Sequence, residues 1–211
     1  MKSSSRRGFT LMELAVALSV IGAFIGGVWV AAGASRENSH YRQAMDNVTL
    51  AVDAVRAAYM GQSAIVGGAN MVVPALVSRA ALPPNMVRQS GATCSYTNCL
   101  DSPWGGAAAG GTMAICSWTY GADKHCATAG AASNQYFGVE YSGLNNNSCI
   151  EVAENISTSA PAGLVDVFIN DTDMGALGAL PPSSVNALAK CNSGAGANTV
   201  DFVYALRLSG S

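Results

Sequence analysis

The chain has 211 residues, of which 50% are hydrophobic and 11% are charged, and its formal net charge is −2. Charged residues are scarcer than in an average soluble domain, and the 23 glycines are accompanied by many Ala, Ser and Asn residues. This slightly acidic balance gives no electrostatic footprint for nucleic acid, so nucleic acid is not an expected partner. The composition is typical of a loop-rich exported domain rather than a cytosolic enzyme.

The N-terminus combines a short basic leader with a long apolar segment. Two arginines precede Gly8, and residues 9–34 contain Glu13 as their only formal charge. About 20 apolar residues are enough to span a bilayer as a helix, so this segment is long enough to do so. A carboxylate in such a segment is costly in hydrocarbon and indicates a function. The positive-inside rule predicts that residues 1–8 are cytoplasmic and that the domain beyond the segment is exported.

A Sec signal peptide or a plain membrane anchor is the alternative interpretation of this N-terminus. Residues 31–34, Ala-Ala-Gly-Ala, imitate the small-residue cleavage site of a signal peptide. Such a signal has a shorter apolar core and carries no acid within it. The position of Glu13 therefore argues against a signal peptide.

Helical periodicity continues beyond the apolar segment and becomes amphipathic. Between residues 35 and 61, apolar residues recur at steps of three and four, and charged residues fall largely between them. No proline occurs between Phe9 and Gly61, so one helix is predicted for both segments. Its first half, residues 9–34, is apolar on every face. Glycines that weaken a helix but allow close approach of neighbouring helices occur in this half: Gly22, Gly26, Gly27 and Gly33.

Residues 62–211 are predicted to form one globular domain. A short helix is expected at 73–82, ended by two prolines, and another at 149–156. Branched and aromatic residues predict strands at 112–120, 135–141, 165–169 and 198–206, the last of them central or near-central in its sheet. A long helix followed by antiparallel strands gives an α+β architecture.

All six cysteines lie in the exported part: Cys94, Cys99, Cys116, Cys126, Cys149 and Cys191. An even number of cysteines in an oxidising compartment predicts three disulfides. The favoured pairs are Cys94–Cys99 and Cys116–Cys126 as local loops, with Cys149–Cys191 as a longer one, although other connectivities remain open. A zinc site that combines His125 with nearby thiols is the weaker alternative, because no Cys-x-x-Cys pair is present.

No catalytic constellation is identified, and no cofactor or enzymatic activity is expected. His40 and His125 are interpreted as surface residues. Asp171-Thr172-Asp173 resembles a fragment of a calcium-binding loop, but the glycine and the distal Glu of an EF-hand are missing, so an exposed turn is expected.

The string Gly8-Phe9-Thr10-Leu11-Met12-Glu13 resembles the type IV prepilin class. The resemblance implies cleavage by a prepilin peptidase between Gly8 and Phe9, N-methylation of Phe9, and a role for Glu13 in subunit assembly. Buried charges are tolerated only when they are paired. The new α-amino group of Phe9 on a neighbouring subunit is therefore the expected partner of Glu13.

Motifs further along the chain resemble those of the type IVb major pilins, and in particular the thin-pilus pilins of conjugative plasmids. They are residues 82–87 (Leu-Pro-Pro-Asn-Met-Val), residues 102–106 (Ser-Pro-Trp-Gly-Gly), Cys149-Ile150, and Cys191 before the terminal strand. In that family the Pro-Trp-Gly-Gly stretch starts the first sheet strand, and a long disulfide closes the C-terminal region. An eight-residue leader, Phe at the first mature position and the additional cysteines depart from the usual type IVb pattern.

The resemblance implies the type IV pilin fold and a structural subunit that polymerises into a helical fibre for adhesion, aggregation or mating contact. The implied partners are identical subunits, the prepilin peptidase, and the assembly platform, ATPase and secretin. The subunit would lie in the inner membrane with a periplasmic domain before assembly, and in an extracellular pilus afterwards. A minor pilin or a type II secretion pseudopilin is the alternative. A membrane-anchored periplasmic enzyme or metal-binding protein is a third.

Overall fold

The structure, a computed structural model, describes residues 11–65, 69–87, 100–105, 111–119, 124, 126, 135–176, 180–194 and 196–208. The chain forms two compact units, Met1–Ser39 and His40–Ser211. The described part of the first unit is helical throughout, whereas the second unit contains the sheet.

The first helix, α1, spans Leu11–Ala58 without interruption, as the continuous helical periodicity and the absence of proline predict. Arg56 lies in its last turn, where a positive charge is favourably placed in the field of the helix dipole. The chain leaves the helix through a turn in which Gly61 has a φ of +84°, a left-handed conformation that suits glycine.

The second helix, α2, spans Ala69–Ser78, so it begins and ends four residues earlier than the predicted helix at 73–82. Pro74 lies inside the helix, where it removes one backbone hydrogen bond. The helix forms there because Val72 and Leu76 are completely buried in the main core. The position of this helix is therefore determined by tertiary packing rather than by local helix propensity.

Six strands form one antiparallel sheet in the order β1-β2-β3-β6-β4-β5. The strands are Leu100–Asp101 (β1), Thr112–Trp118 (β2), Tyr136–Leu144 (β3), Leu164–Ile169 (β4), Thr172–Asp173 (β5) and Asn198–Ala205 (β6). The last strand of the chain, β6, pairs with β3 on one side and β4 on the other. Its predicted central position is confirmed.

Two further helices lie in the described part of the domain. The helix predicted at 149–156 is confirmed as α3, Asn146–Thr158, and its N-cap Asn145 accepts a hydrogen bond from the N–H of Ser148. Helix α4, Ser184–Lys190, was not predicted, and neither were the two-residue strands β1 and β5. Elements this short carry no periodic pattern that sequence reasoning can detect.

The main core of the domain lies between one face of the sheet and helices α1, α2 and α3. The buried side chains that α1 contributes are Ala44, Val48, Ala51, Val52 and Val55. The central strands face them with Val139, Tyr141, Val200 and Phe202, and α3 adds Val152 and Ile156. A smaller cluster covers the opposite face of the sheet and contains Ala114, Cys116, Trp118, Cys126, Phe168 and Val203.

The described part of the Pro-Trp-Gly-Gly stretch, residues 103–105, is not in a strand, whereas the family resemblance implies the start of the first strand here. Residues 102–105 form a turn, closed by a hydrogen bond of 3.0 Å from the Gly105 N–H to the Ser102 carbonyl oxygen, and Gly106 lies outside the described residues. The ring of Trp104 lies 5.4 Å from that of Tyr41 on α1 and 5.8 Å from that of Tyr141 on β3. These aromatic contacts fix the turn against the helix and the sheet.

Candidate functional site

The first half of α1 exposes apolar side chains around its whole circumference. Twelve large apolar side chains between Leu11 and Val30 are more than half exposed, and Trp29 is 75% exposed. The helix is long and apolar enough to cross a membrane, with a mean hydropathy of 2.2 over its most apolar window. Exposed apolar surface of this extent indicates contact with a membrane or with other protein chains.

Glu13 is the acidic residue of this exposed segment. It lies on the first turn of α1 and its side chain is exposed. Gly8 and Phe9, the residues of the predicted processing site, lie outside the described residues. Their roles, and the assembly role of Glu13, stay predictions from the sequence.

The glycines of this half make no intramolecular contact that requires a small residue. Beyond the neighbouring backbone of the helix itself, a Cβ atom added at Gly22, Gly26, Gly27 or Gly33 would meet no atom of the described residues within 4 Å. Packing within the subunit therefore does not explain why these positions lack side chains. Small residues are also the positions at which neighbouring helices approach each other most closely.

The second half of α1, from His40 onwards, is fixed to the sheet by buried contacts. The hydroxyl of Tyr141 on β3 donates a hydrogen bond of 2.9 Å to the carbonyl oxygen of Ala44. Burial raises the pKa of Tyr141 above its ordinary range, with a further contribution from Tyr204, so the phenol stays protonated and able to donate. His40, predicted as a surface residue, is half-buried, with its ring centroid 6.1 Å from that of Trp104.

Arg56 ties the C-terminal end of α1 to the start of β4 and the end of β6. Its Nη2 atom donates hydrogen bonds to the carbonyl oxygens of Ala162, at 2.7 Å, and Ala205, at 3.0 Å. Burial lowers the pKa of Arg56, while Asp53 and Tyr204 act in the opposite direction. The guanidinium needs the space beside Gly163, where an added Cβ would lie 2.5 Å from Nη2.

Two of the three disulfides favoured from the sequence are present among the described residues. Cys149 on α3 is bonded to Cys191 at the end of α4, and Cys116 on β2 is bonded to Cys126. Cys94 and Cys99 lie outside the described residues. The Cys149–Cys191 bond joins residues that are 42 positions apart and holds α4 against α3.

Asn198, which sequence reasoning did not identify, organises the same end of the domain. Its buried side-chain amide donates to the carbonyl oxygens of Leu144 and Gly194 and to the side-chain oxygen of Asn146. Its own oxygen accepts from the Asn170 amide and the Ser193 N–H. These bonds satisfy the buried amide completely and connect the start of β6 to three other segments, at 144–146, 170 and 193–194. Its only sequence signal was an asparagine at the start of a strongly apolar strand.

The calcium-like tripeptide forms part of a hairpin. Asn170 and Asp171 both have positive φ, 47° and 65°, and Ile169 pairs with Thr172 across them. This is the backbone of a two-residue type I′ turn, for which Asn and Asp are preferred. The expected turn is thus present, and Asp171 is exposed. The alternative zinc site cannot use the described cysteines, which are all in disulfides, and His125 lies outside the described residues.

Comparison with known proteins identifies the family. The Bundlin family model matches residues 33–207, which is most of the chain, and the model of the prokaryotic N-terminal methylation motif matches residues 3–29. The chain belongs to the Bundlin family of type IVb pilins. No match was found among curated proteins.

A solved structure supports the same fold. The crystal structure of a type IV b pilin from Salmonella typhi resembles the chain with a TM-score of 0.52 and 18% sequence identity. The similarity covers 76% of this chain and 97% of that pilin. At this level of identity the likeness concerns the fold: a long helix packed on an antiparallel sheet.

Membership of the Bundlin family means that the chain is a structural pilus subunit that polymerises. The methylation motif and the apolar helix together indicate processing by a prepilin peptidase and anchoring in a membrane before assembly.

Proposed function

We propose that the chain is cleaved between Gly8 and Phe9 and then polymerises through the first half of α1 into a type IVb pilus. Residues 1–8 are the leader, residues 9–34 the membrane and fibre-core segment, and residues 35–61 the amphipathic half of the helix. Residues 62–211 then form the outer surface of the fibre. The observation that carries the proposal is the apolar surface between Leu11 and Val30, which is exposed around the whole helix.

A fibre core accounts for this surface without requiring the membrane to be its final environment. Packing against the helices of other subunits buries the apolar side chains, and each CH₂ group kept out of water in this way contributes about 0.8 kcal/mol relative to a fibre that left it exposed. The four glycines then allow close approach between helices. Their side-chain positions are open in the isolated subunit, so that space is available to a neighbour.

Glu13 sets the axial position of each subunit in this proposal. Cleavage creates a cationic amine on Phe9, and a carboxylate in an apolar core is stable only when it is paired. Pairing of Glu13 with the Phe9 amine of the neighbouring subunit offsets the desolvation of both groups. A subunit in the wrong register would leave two buried charges uncompensated.

The exposed domain carries the contacts of the pilus with its surroundings, which we assign to adhesion, aggregation or conjugative mating. The assembly platform, ATPase and secretin are the proposed partners during export, with the domain periplasmic before assembly. A minor pilin or a type II secretion pseudopilin shares the same helix. The major pilins of this class usually have one pair of cysteines. The Cys116–Cys126 disulfide departs from that pattern, and this observation supports a minor pilin or pseudopilin as the second candidate.

The test is the variant Glu13→Ala, produced in cells that assemble the pilus, with Asp46→Ala as the matched control. Asp46 is an exposed acid on the second half of the same helix. We expect Glu13→Ala to remove the chain from fibres sheared off the cell surface, while processed chain accumulates in the membrane. Asp46→Ala should assemble normally.

Two results would contradict this proposal. Normal fibre yield from Glu13→Ala would exclude the assembly role of Glu13. A chain absent from sheared fibres in the wild type, yet processed in the membrane, would favour the minor pilin or pseudopilin.

A further inference from the structure

The face of the sheet opposite the main core contains two buried acids. Glu140 on β3 and Asp201 on β6 are direct cross-strand partners, and they are 5% and 0% exposed. Their neighbours along each strand, such as Tyr141 and Phe202, point into the main core. Because side chains alternate along a strand, the two acids share the other face with the smaller apolar cluster.

The same backbone N–H donates a hydrogen bond to both acids. The N–H of Cys126 donates to Oε2 of Glu140 at 2.9 Å and to Oδ1 of Asp201 at 3.3 Å. The nearest carboxylate oxygens of the two acids lie within 4.8 Å of each other. The second oxygen of Asp201, Oδ2, is buried and accepts no hydrogen bond from the residues that the structure describes.

Two ionised carboxylates are unstable in this arrangement. Both must lose hydration, and like charges at this distance repel in a medium of low dielectric constant. Burial raises the pKa of Asp201 well above its ordinary value, and Glu140 and Asp171 raise it further, while the Cys126 N–H has the opposite effect.

The described groups around the pair add no compensating positive charge to Asp201. Strand β2 faces the pair with Ala114 and the Cys116 sulfur, which are uncharged. The described titratable groups on the same face of the other elements are Tyr136 on β3, Asp166 on β4 and Asp173 on β5, with Asp171 in the β4–β5 turn. Lys124, two positions before Cys126, is exposed. Asp166 already accepts the N–H groups of Val167 and Gly175.

We propose that Glu140 and Asp201 form a proton-binding site that holds one proton between their carboxyl groups and so keeps Cys126 against the sheet. With one proton, one acid donates to the other, and Oδ2 of Asp201 gains the partner it lacks. The remaining single negative charge is then matched to the Cys126 N–H. A bound cation fits less well, because this N–H is directed at both carboxylates and the Cys126 sulfur is in a disulfide.

The site makes the stability of the domain depend on pH. In the unfolded chain, Glu and Asp titrate near pH 4. Because the pKa of Asp201 is raised in the folded state, the contribution of the site is complete below that pH and is lost as the pH rises towards the folded pKa. Between the two values the native state holds one extra proton, so the unfolding equilibrium constant rises about tenfold per pH unit from this site.

The experiment compares the full chain with Glu140→Gln, unfolded by denaturant in detergent micelles under non-reducing conditions from about pH 5 to pH 8. Unfolding is followed by tryptophan fluorescence, since Trp118 is buried beside the disulfide on this face. A glutamine at position 140 can accept from Cys126 and donate to Asp201 without any proton. Glu151→Gln, at an exposed position on α3, is the matched control.

We expect the wild type and Glu151→Gln to lose stability as the pH rises. Glu140→Gln should lose stability less steeply and be the more stable protein at high pH, because Asp201 stays buried but no longer faces a second acid. Equal pH dependence in Glu140→Gln and the wild type would overturn the proposal. So would wild-type stabilisation by added Ca²⁺ at high pH that Glu140→Gln abolishes, because it would identify a cation site.

Two further measurements keep the proposal testable if Glu140→Gln does not fold. Asp201→Asn should remove the same pH dependence. The infrared spectrum of the wild type at neutral pH should contain the carbonyl band of a buried protonated carboxyl group. Absence of that band would contradict the proposal without any variant.

Discussion

The two halves of helix α1 differ in where their apolar side chains find partners. Between Leu11 and Val30 the large apolar side chains are more than half exposed, whereas Val48, Val52 and Val55 are completely buried in the main core. One continuous helix therefore has a half whose sequence is explained by its own domain and a half whose sequence is not. A surface that folding leaves exposed is available for contacts between molecules.

The strongest way to break this comparison is to place the same charge in each half. Val52→Asp buries an unpaired carboxylate in the main core and should destabilise the domain by about 4 kcal/mol or more. Val20→Asp, in the exposed half, should change domain stability by less than about 0.5 kcal/mol while abolishing fibre assembly. Denaturant unfolding and the yield of sheared fibres measure the two effects. Equal destabilisation by both variants would show that the two halves of α1 do not differ in their contribution to the stability of the domain.

The two described disulfides should contribute different amounts to the stability of the domain. Replacing Cys149 and Cys191 together by alanine should cost about 4 kcal/mol of unfolding free energy on the chain-entropy model. The same change at Cys116 and Cys126, which are 10 positions apart, should cost about 3 kcal/mol because the closed loop is shorter. Non-reducing unfolding curves provide the comparison. A larger loss from the shorter loop would contradict this ranking.

The buried hydrogen bonds of Asn198 are polar contacts within the domain, in contrast to the exposed apolar surface of α1, and their contribution to stability can be measured. Asn198→Asp removes three donated hydrogen bonds and places a carboxylate beside the carbonyl oxygens of Leu144 and Gly194, so we expect a loss of about 3 kcal/mol at neutral pH. Asn192→Asp is the control, because that exposed amide donates only one described bond, to Ala189. Similar stabilities for both variants would remove Asn198 from this role.

The smallest expected effect concerns the end of the buried half. Arg56→Met keeps an apolar stem but loses the hydrogen bonds to Ala162 and Ala205, which should cost about 1–2 kcal/mol. Thermal unfolding should register the change, and fibre assembly should persist. An unchanged melting temperature would indicate that these bonds do not stabilise the helix against the sheet.

Sequence reasoning succeeded where a pattern extends over many residues. The length of α1, the central position of β6 and helix α3 all follow from periodic burial, which acts on every turn or every second residue. It failed where a single tertiary contact decides the structure. Pro74 is held inside α2 by burial of its neighbours, and the turn at Trp104 is held by Tyr41 and Tyr141.

The residues of the candidate site likewise include some that the sequence reveals and some that it does not. Glu13 is visible in the sequence because one acid interrupts an apolar run. Asn198 and the pair of Glu140 with Asp201 are not visible, because their partners come from distant segments that only the folded sheet brings together. Polar residues in apolar strands are the one local sign of such positions.

The most direct test of the account is mass spectrometry of the intact, unreduced chain in fibres sheared from the cell surface. We expect an abundant chain that begins at N-methylated Phe9 and has its cysteines oxidised. A chain that still carries residues 1–8, or one cut near Ala34, would contradict it.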